Sequence, residues 1–148
     1  MERTATCSCG QLSVTIEGEP VHHGLCSCLE CQKATGGPFG YSGYWSRSAV
    51  KTITGSYTSW RRSSDAGRWI ENCFCPTCGS ILFSYAEFDP AVINIPIGNF
   101  ADPAFPAPAY AVWNMHRHPW VALDPAWASF DQQPGLADDL TPGTGESG

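Results

Sequence analysis

Apolar and polar positions alternate most clearly from Gln11 to Ile16, with Leu12, Val14 and Ile16 on one side and Ser13 and Thr15 on the other. A period of two belongs to a half-buried strand. Gly18-Glu19-Pro20 marks a turn, and Val21 to Leu25 is expected to form a second strand. Gln32-Lys33-Ala34 is expected to add a helical turn, stopped by Gly36-Gly37-Pro38. Short strands are then expected over Phe39–Trp45, Val50–Thr54, Tyr57–Arg62, Trp69–Cys75, Ile81–Tyr85 and Val92–Ile97. Gly40 or Gly43 in the first of these signals a bulge or a close backbone approach. Asn99 to Pro108 holds three prolines in ten residues and is read as loop. Ala111–Trp113 and Trp120–Leu123 supply a last pair of short strands. The pattern predicts a mainly β chain with little helix.

Composition supports this. Fifteen glycines and twelve prolines in 148 residues favour short strands joined by tight turns, and 43% hydrophobic residues suffice for a core. The expected organisation is one domain over residues 1–130 and an acidic, Pro/Gly-rich tail over 131–148, frayed beyond Gln133. The net charge of −6 owes much to that tail, where Asp131, Asp138, Asp139 and Glu146 meet no Lys or Arg. Residues 1–130 carry eight basic against ten acidic side chains, which argues against a general nucleic-acid binder. Arg47, Lys51, Arg61, Arg62 and Arg68 form one basic region opposed only by Asp65. It is either a solvated sheet face or a counter-charge to anionic centres and ligands.

The cysteines change the picture most. All eight fall in three groups: Cys7-Ser8-Cys9, Cys26-Ser27-Cys28-Leu29-Glu30-Cys31, and Cys73-Phe74-Cys75-Pro76-Thr77-Cys78. Such clustering indicates metal ligation. Met1-Glu2-Arg3-Thr4 runs directly into the first pair and no apolar stretch approaches the roughly 20 residues that span a bilayer. The expected setting is therefore reducing and cytoplasmic, with no membrane partner and with zinc in place of disulfides. Each C-x-C-x-x-C could hold its own metal, which orphans Cys7 and Cys9, or several metals could share one cluster. A third arrangement is favoured. It places Cys7, Cys9, Cys75 and Cys78 in a closed four-thiolate site, and Cys26, Cys28 and Cys31 in a three-thiolate site with an open position, as catalytic zinc requires. The pairs C-x-C are expected to be extended, so that sulfurs two residues apart share a side. Cys73 is read as a buried free thiol on a strand, with the fourth ligand of the second site as the alternative.

Cys7-x-Cys9-Gly10, Cys26-x-Cys28-x-x-Cys31-Gln32-Lys33, Gly37-Pro38-Phe39 and Phe74-Cys75-Pro76-Thr77-Cys78-Gly79 together resemble the glutathione-dependent formaldehyde-activating (GFA) family. Ile95-x-Ile97-Gly98, Asp102-Pro103 and Trp120 extend the likeness. The resemblance implies an Mss4-like fold of coiled β-sheets pinned by two zinc sites, with the same division of ligands. Family members often carry His where this chain has Ser8 and Ser27, which removes imidazole chemistry but no zinc ligand.

The resemblance also implies a carbon–sulfur lyase or synthase that condenses formaldehyde, or a related small aldehyde, with glutathione to give S-(hydroxymethyl)glutathione. In that reading Cys26, Cys28 and Cys31 hold the functional metal, and Glu30 inside the knuckle is a candidate proton shuttle. Lys33, Arg61 and Arg62 are candidates for the glutathione carboxylates. His22, His23, His116 and His118 lie at spacings that demand no metal and are left out of the site. The alternative is a zinc-stabilised binding module in which both metals are structural and a protein or another thiol is the partner.

Overall fold

The computed structural model describes residues 1–63 and 67–134. Asp65 and the acids Asp138, Asp139 and Glu146 lie outside the described residues. Among those described, eleven strands accompany a single α-helix and three short 3-10 turns, so the chain is mainly β. No helix among them is long and apolar enough to cross a membrane. The chain divides into two compact units, one made of Met1–Val21 and Gly43–Phe105, the other of His22–Ser42 and the chain from Pro106 onward.

In the first unit, β1 (Glu2–Thr6), β2 (Ser13–Glu17) and β5 (Val50–Thr54) form an antiparallel sheet in the order β1-β2-β5. The alternation around Val14 and Ile16 is realised, since both side chains are fully buried while Ser13 and Thr15 are half-buried. Strand β1 had no clear sequence signal: only Ala5 of its residues is buried. The unit also contains an antiparallel run of β6 (Thr58–Ser63), β7 (Trp69–Phe74), β8 (Ile81–Ala86) and β9 (Val92–Pro96). Leu82, Phe83, Ile93 and Ile95 are completely buried there. Strand β4 (Gly40–Ser46) carries the chain into this unit. Its Gly43 is the close approach that the sequence signalled: a Cβ there would lie 2.6 Å from the ring of the buried Trp45. Trp45 in turn donates its indole N–H to the carbonyl of Gly18 at 3.0 Å.

In the second unit, β3 (His22–Cys26) runs parallel to β10 (Tyr110–Val112), which runs parallel to β11 (Ala128–Ser129). Gly24 faces Tyr110, and a Cβ on Gly24 would fall 2.1 Å from that ring. Only glycine lets the strands approach so closely, and the resulting register sets Cys26 opposite Val112. The last strand is not Trp120–Leu123, as the sequence suggested. Those residues use their backbone locally, with the Val121 N–H bonded to the His118 carbonyl at 3.0 Å, and Ala128–Ser129 pairs with β10 instead. Asp131 and Gln132, at the start of the acidic tail, accept hydrogen bonds from the Met115 and Trp113 amides. Residues 135–148 lie outside the described residues.

Candidate metal centres

The helix α1 spans Leu29–Thr35, a full turn longer at its start than the sequence suggested. Its N-cap is Cys28, in extended conformation, whose sulfur accepts the Cys31 N–H at 3.3 Å. Cysteine is an unusual cap, and no propensity rule would place a helix start there. Gly36 ends the helix in the left-handed region at φ 70°, donating its N–H to the Gln32 carbonyl at 2.8 Å. Cys26 at the end of β3, Cys28 at the cap and Cys31 in the first turn therefore converge, and their sulfurs lie within 4.8 Å of one another.

The other group joins two turns distant in sequence. Cys7-Ser8-Cys9-Gly10 is a tight turn rather than the expected extended segment, closed by the Gly10 N–H on the Cys7 carbonyl at 3.0 Å. The Gly79 N–H closes the Cys75 turn in the same manner at 2.8 Å. Both glycines have φ above +80°, which a side chain would resist. Amides point at the sulfurs: Leu12 at Cys7, and Thr77 and Cys78 at Cys75. The Gln11 carboxamide bridges Cys75 Sγ at 2.9 Å and the Ser56 carbonyl at 2.8 Å. Ser80 Oγ receives the Ser8 N–H and lies 3.3 Å from Cys78 Sγ, so it ties the two turns together.

These distances test the fit to zinc. A tetrahedral ion with Zn–S near about 2.3 Å separates its sulfurs by roughly 3.8 Å. Cys7 and Cys9 lie 3.6 Å apart, and Cys9 and Cys75 lie 3.7 Å apart. Two pairs at that spacing, with all four sulfurs within 4.8 Å of one another, fit a closed zinc site, and the amides aimed at Cys7 and Cys75 stabilise the ionised form. Both clusters could hold metal ions, and their all-thiol donor sets suit zinc.

The titration of the thiols expresses the same crowding. Hydrogen bonds from the Ser80 hydroxyl and amide lower the Cys78 thiol to about 5. At Cys75 burial pushes upward, but the amides of Cys78 and Thr77 and the Gln11 side chain outweigh it and leave about 7. Cys9 gains an amide bond from Gln11 that favours its thiolate, yet burial and neighbouring sulfurs raise it to about 11. Cys26 is raised well above the ordinary thiol value by Cys28 and Cys31, then by burial. Adjacent sulfurs cannot all ionise without a cation among them, and a bound divalent ion reverses that balance.

Cys73 belongs to neither cluster; it is fully buried on β7, and burial pushes its thiol up to about 11. Glu30 and Lys33 lie on α1, with Lys33 Nζ 3.6 Å from the Glu30 carboxylate. Lys33 also lines an open cleft of about 530 Å³ with Leu29, Gln32, Pro38, His118 and Trp120. Arg61 and Arg62 lie on β6, in the other unit. Arg61 is bound to Glu71 at 3.0 Å and stacks on Trp69, and Arg62 donates to the Ser63 carbonyl. Arg47 and Arg68 cover the Tyr85 and Phe88 rings, and Lys51 pairs with Glu17 at 2.6 Å. His22 and His23 bond the hydroxyls of Tyr110 and Tyr41, and no histidine joins a metal cluster among the described residues.

The model of the glutathione-dependent formaldehyde-activating enzyme family matches residues 2–116, a span holding every cysteine of both clusters. The chain belongs to this family. Membership suggests glutathione-dependent formaldehyde activation as the activity. No curated protein matches the chain. A crystal structure of a Rhodobacter sphaeroides protein shares the fold with a TM-score of 0.53 and 16% identity, over 70% of this chain and 90% of that one.

Sequence reasoning missed Gln11, Ser80, Gln32 and His118 as partners of the two centres. Gln11 and Ser80 flank cysteine turns, and Gln32 follows Cys31, so proximity to the motif was the available signal. His118 carried none.

Proposed function

We propose that the chain is a zinc-dependent carbon–sulfur lyase of the S-(hydroxymethyl)glutathione synthase type, joining formaldehyde or a related small aldehyde to glutathione. The observation that carries this reading is the contrast in ligand number: four thiols converge in one cluster and three in the other. The proposal assigns one zinc to each, with Cys7, Cys9, Cys75 and Cys78 structural and Cys26, Cys28 and Cys31 catalytic. The family match spans both units, which supports reading residues 1–130 as one functional domain.

A zinc held by Cys26, Cys28 and Cys31 would favour the thiolate form of glutathione, a form that a free thiol with pKa near about 8.5 reaches only to a few per cent at neutral pH. The work of the chain's own residues is then to bind, orient and move a proton. Glu30, in the first turn of α1, takes the proton lost by the thiol. The thiolate sulfur adds to the aldehyde carbon, a C–S bond forms, and the carbonyl π electrons become an alkoxide. Glu30 returns the proton to that oxygen, so the addition consumes nothing else. Lys33 lines the cleft beside α1 and offers its ammonium to a glutathione carboxylate. Arg61 and Arg62 do not line that cleft, so they take second place to Lys33. Eight free cysteines suit a reducing compartment such as the cytoplasm.

Exchange NMR on glutathione with labelled formaldehyde tests this, using a trace of zinc-loaded protein and a Cys28→Ser control. Faster exchange with the native chain alone is expected. Unchanged exchange with two zincs bound would sink the named reaction and leave the binding module, with both metals structural.

A further inference from the structure

The Cys26-Ser27-Cys28 segment, which carries two of the three thiolates, is held at its middle residue. Ser27 is fully buried; its N–H donates to the Val112 carbonyl at 3.1 Å, and its hydroxyl has no hydrogen-bond partner. Its carbonyl accepts from Gln32 Nε2 at 2.8 Å. The same nitrogen donates to the His116 carbonyl at 3.0 Å. Two carbonyl acceptors fix which end of the carboxamide is nitrogen, so Oε1 must face the other way as an acceptor. There, His118 Nε2 lies 2.8 Å from it and donates its proton. Gln32 thus spends both N–H groups and its oxygen on one junction between residues 86 apart in sequence.

We propose that Gln32, oriented by His118, is a positioning residue of the three-thiolate centre. It pins the Ser27 peptide against the 116–118 turn and thereby sets the separation of the Cys26 and Cys28 sulfurs. A buried carbonyl that loses its donor is costly, and the segment would rotate toward water and spread the two sulfurs. Outer hydrogen bonds of this kind alter metal affinity by about ten- to a hundred-fold. The inference rests on Cys26, Cys28 and Cys31 being metal ligands and is independent of which substrate the chain takes.

The test uses the full chain loaded with Co²⁺, whose thiolate charge-transfer bands report each centre. The band lost in Cys28→Ser identifies the three-thiolate site. Release of Co²⁺ to a chelator is then followed in Gln32→Ala, His118→Ala and His118→Gln. Gln32→Ala is expected to release the three-thiolate ion ten-fold faster or more, with the four-thiolate band unchanged. His118→Ala is expected to accelerate release about three-fold, and His118→Gln, which keeps a donor, to restore it. Equal release from Gln32→Ala and the native chain would overturn the proposal. If Gln32→Ala also loses the four-thiolate band and does not fold, the exposed His118 decides: native release from His118→Ala overturns the proposal just as firmly. A native chain that binds a single cobalt would instead remove the ligand assignment itself.

Discussion

The four-cysteine and three-cysteine clusters use the same atoms and differ in how the chain brings them together. Cys9 and Cys75 are 66 residues apart, and their turns are locked by Gly10, Gly79, Gln11 and Ser80. The three-cysteine cluster draws its ligands from six consecutive residues, a strand end, a helix cap and a first turn. A metal in the first cluster cross-links remote parts of the chain and so acts on the fold. A metal in the second would join residues already adjacent and add little cross-linking, and only three cysteines converge there. Number of ligands and sequence separation point to the same division of labour.

The largest effect that would break this comparison is loss of a ligand from the remote pair. Structural zinc contributes apparent binding energies of about 10–16 kcal/mol in small zinc domains, against a total stability of about 5–15 kcal/mol for a typical domain. Cys75→Ser is therefore expected to lower Tm by at least about 10 °C or to abolish cooperative unfolding, read by calorimetry. A shift of only a few degrees would mean that this cluster does not hold the fold.

Cys28→Ser should behave otherwise. It is expected to leave a cooperative transition, reduce the zinc content from two per chain to one, and remove any acceleration of glutathione exchange. Calorimetry beside metal analysis by mass spectrometry checks this; a collapse equal to that of Cys75→Ser would erase the distinction between the centres.

The metal-free thiols sharpen the contrast by pH. Cys78, lowered to about 5, contributes stability that is complete above the ordinary thiol value of 9.0 and is lost as pH falls through about 5. Cys26, raised, contributes stability that is complete below 9.0 and is lost as pH rises through its higher folded value. Brief alkylation at pH 7, under metal-depleting conditions in which circular dichroism shows the strands retained, should thus label Cys78 well before Cys26, because the thiolate is the nucleophile. Peptide mapping that finds Cys26 first would contradict the hydrogen-bond assignment around Ser80.

The smallest expected effect is that of Lys33→Ala. The Lys33–Glu30 pair is solvent-exposed on the lysine side, so stability should change by less than about 0.5 kcal/mol. The KM for glutathione should rise several-fold with kcat nearly unchanged, as for loss of a carboxylate contact. Unchanged steady-state kinetics would take Lys33 out of the site.

Much of the fold was legible in the pattern of residues. Val14 and Ile16 alternate as β2 requires, and of the two glycines that signalled a bulge or a close approach, Gly40 and Gly43, it is Gly43 that meets Trp45. Strand β11 was not legible, since two residues of Ala and Ser carry no periodicity, and their strand exists only because β10 offers them a ladder. Cys7-x-Cys9 was legible as a ligand pair but not as a turn, because its shape depends on Gly10 closing back on the Cys7 carbonyl.

The sequence by itself determined that the thiols gather in short groups, because C-x-C and C-x-x-C spacings act over a few residues; it favoured one of three ways of sharing those groups between metals. Tertiary structure alone decided that Cys73 belongs to neither cluster and that Cys28 caps a helix. It alone also decided that Gln32 meets His118 across 86 residues. Such contacts depend on how strands pair and where loops return, and no local spacing encodes a meeting between residues so far apart.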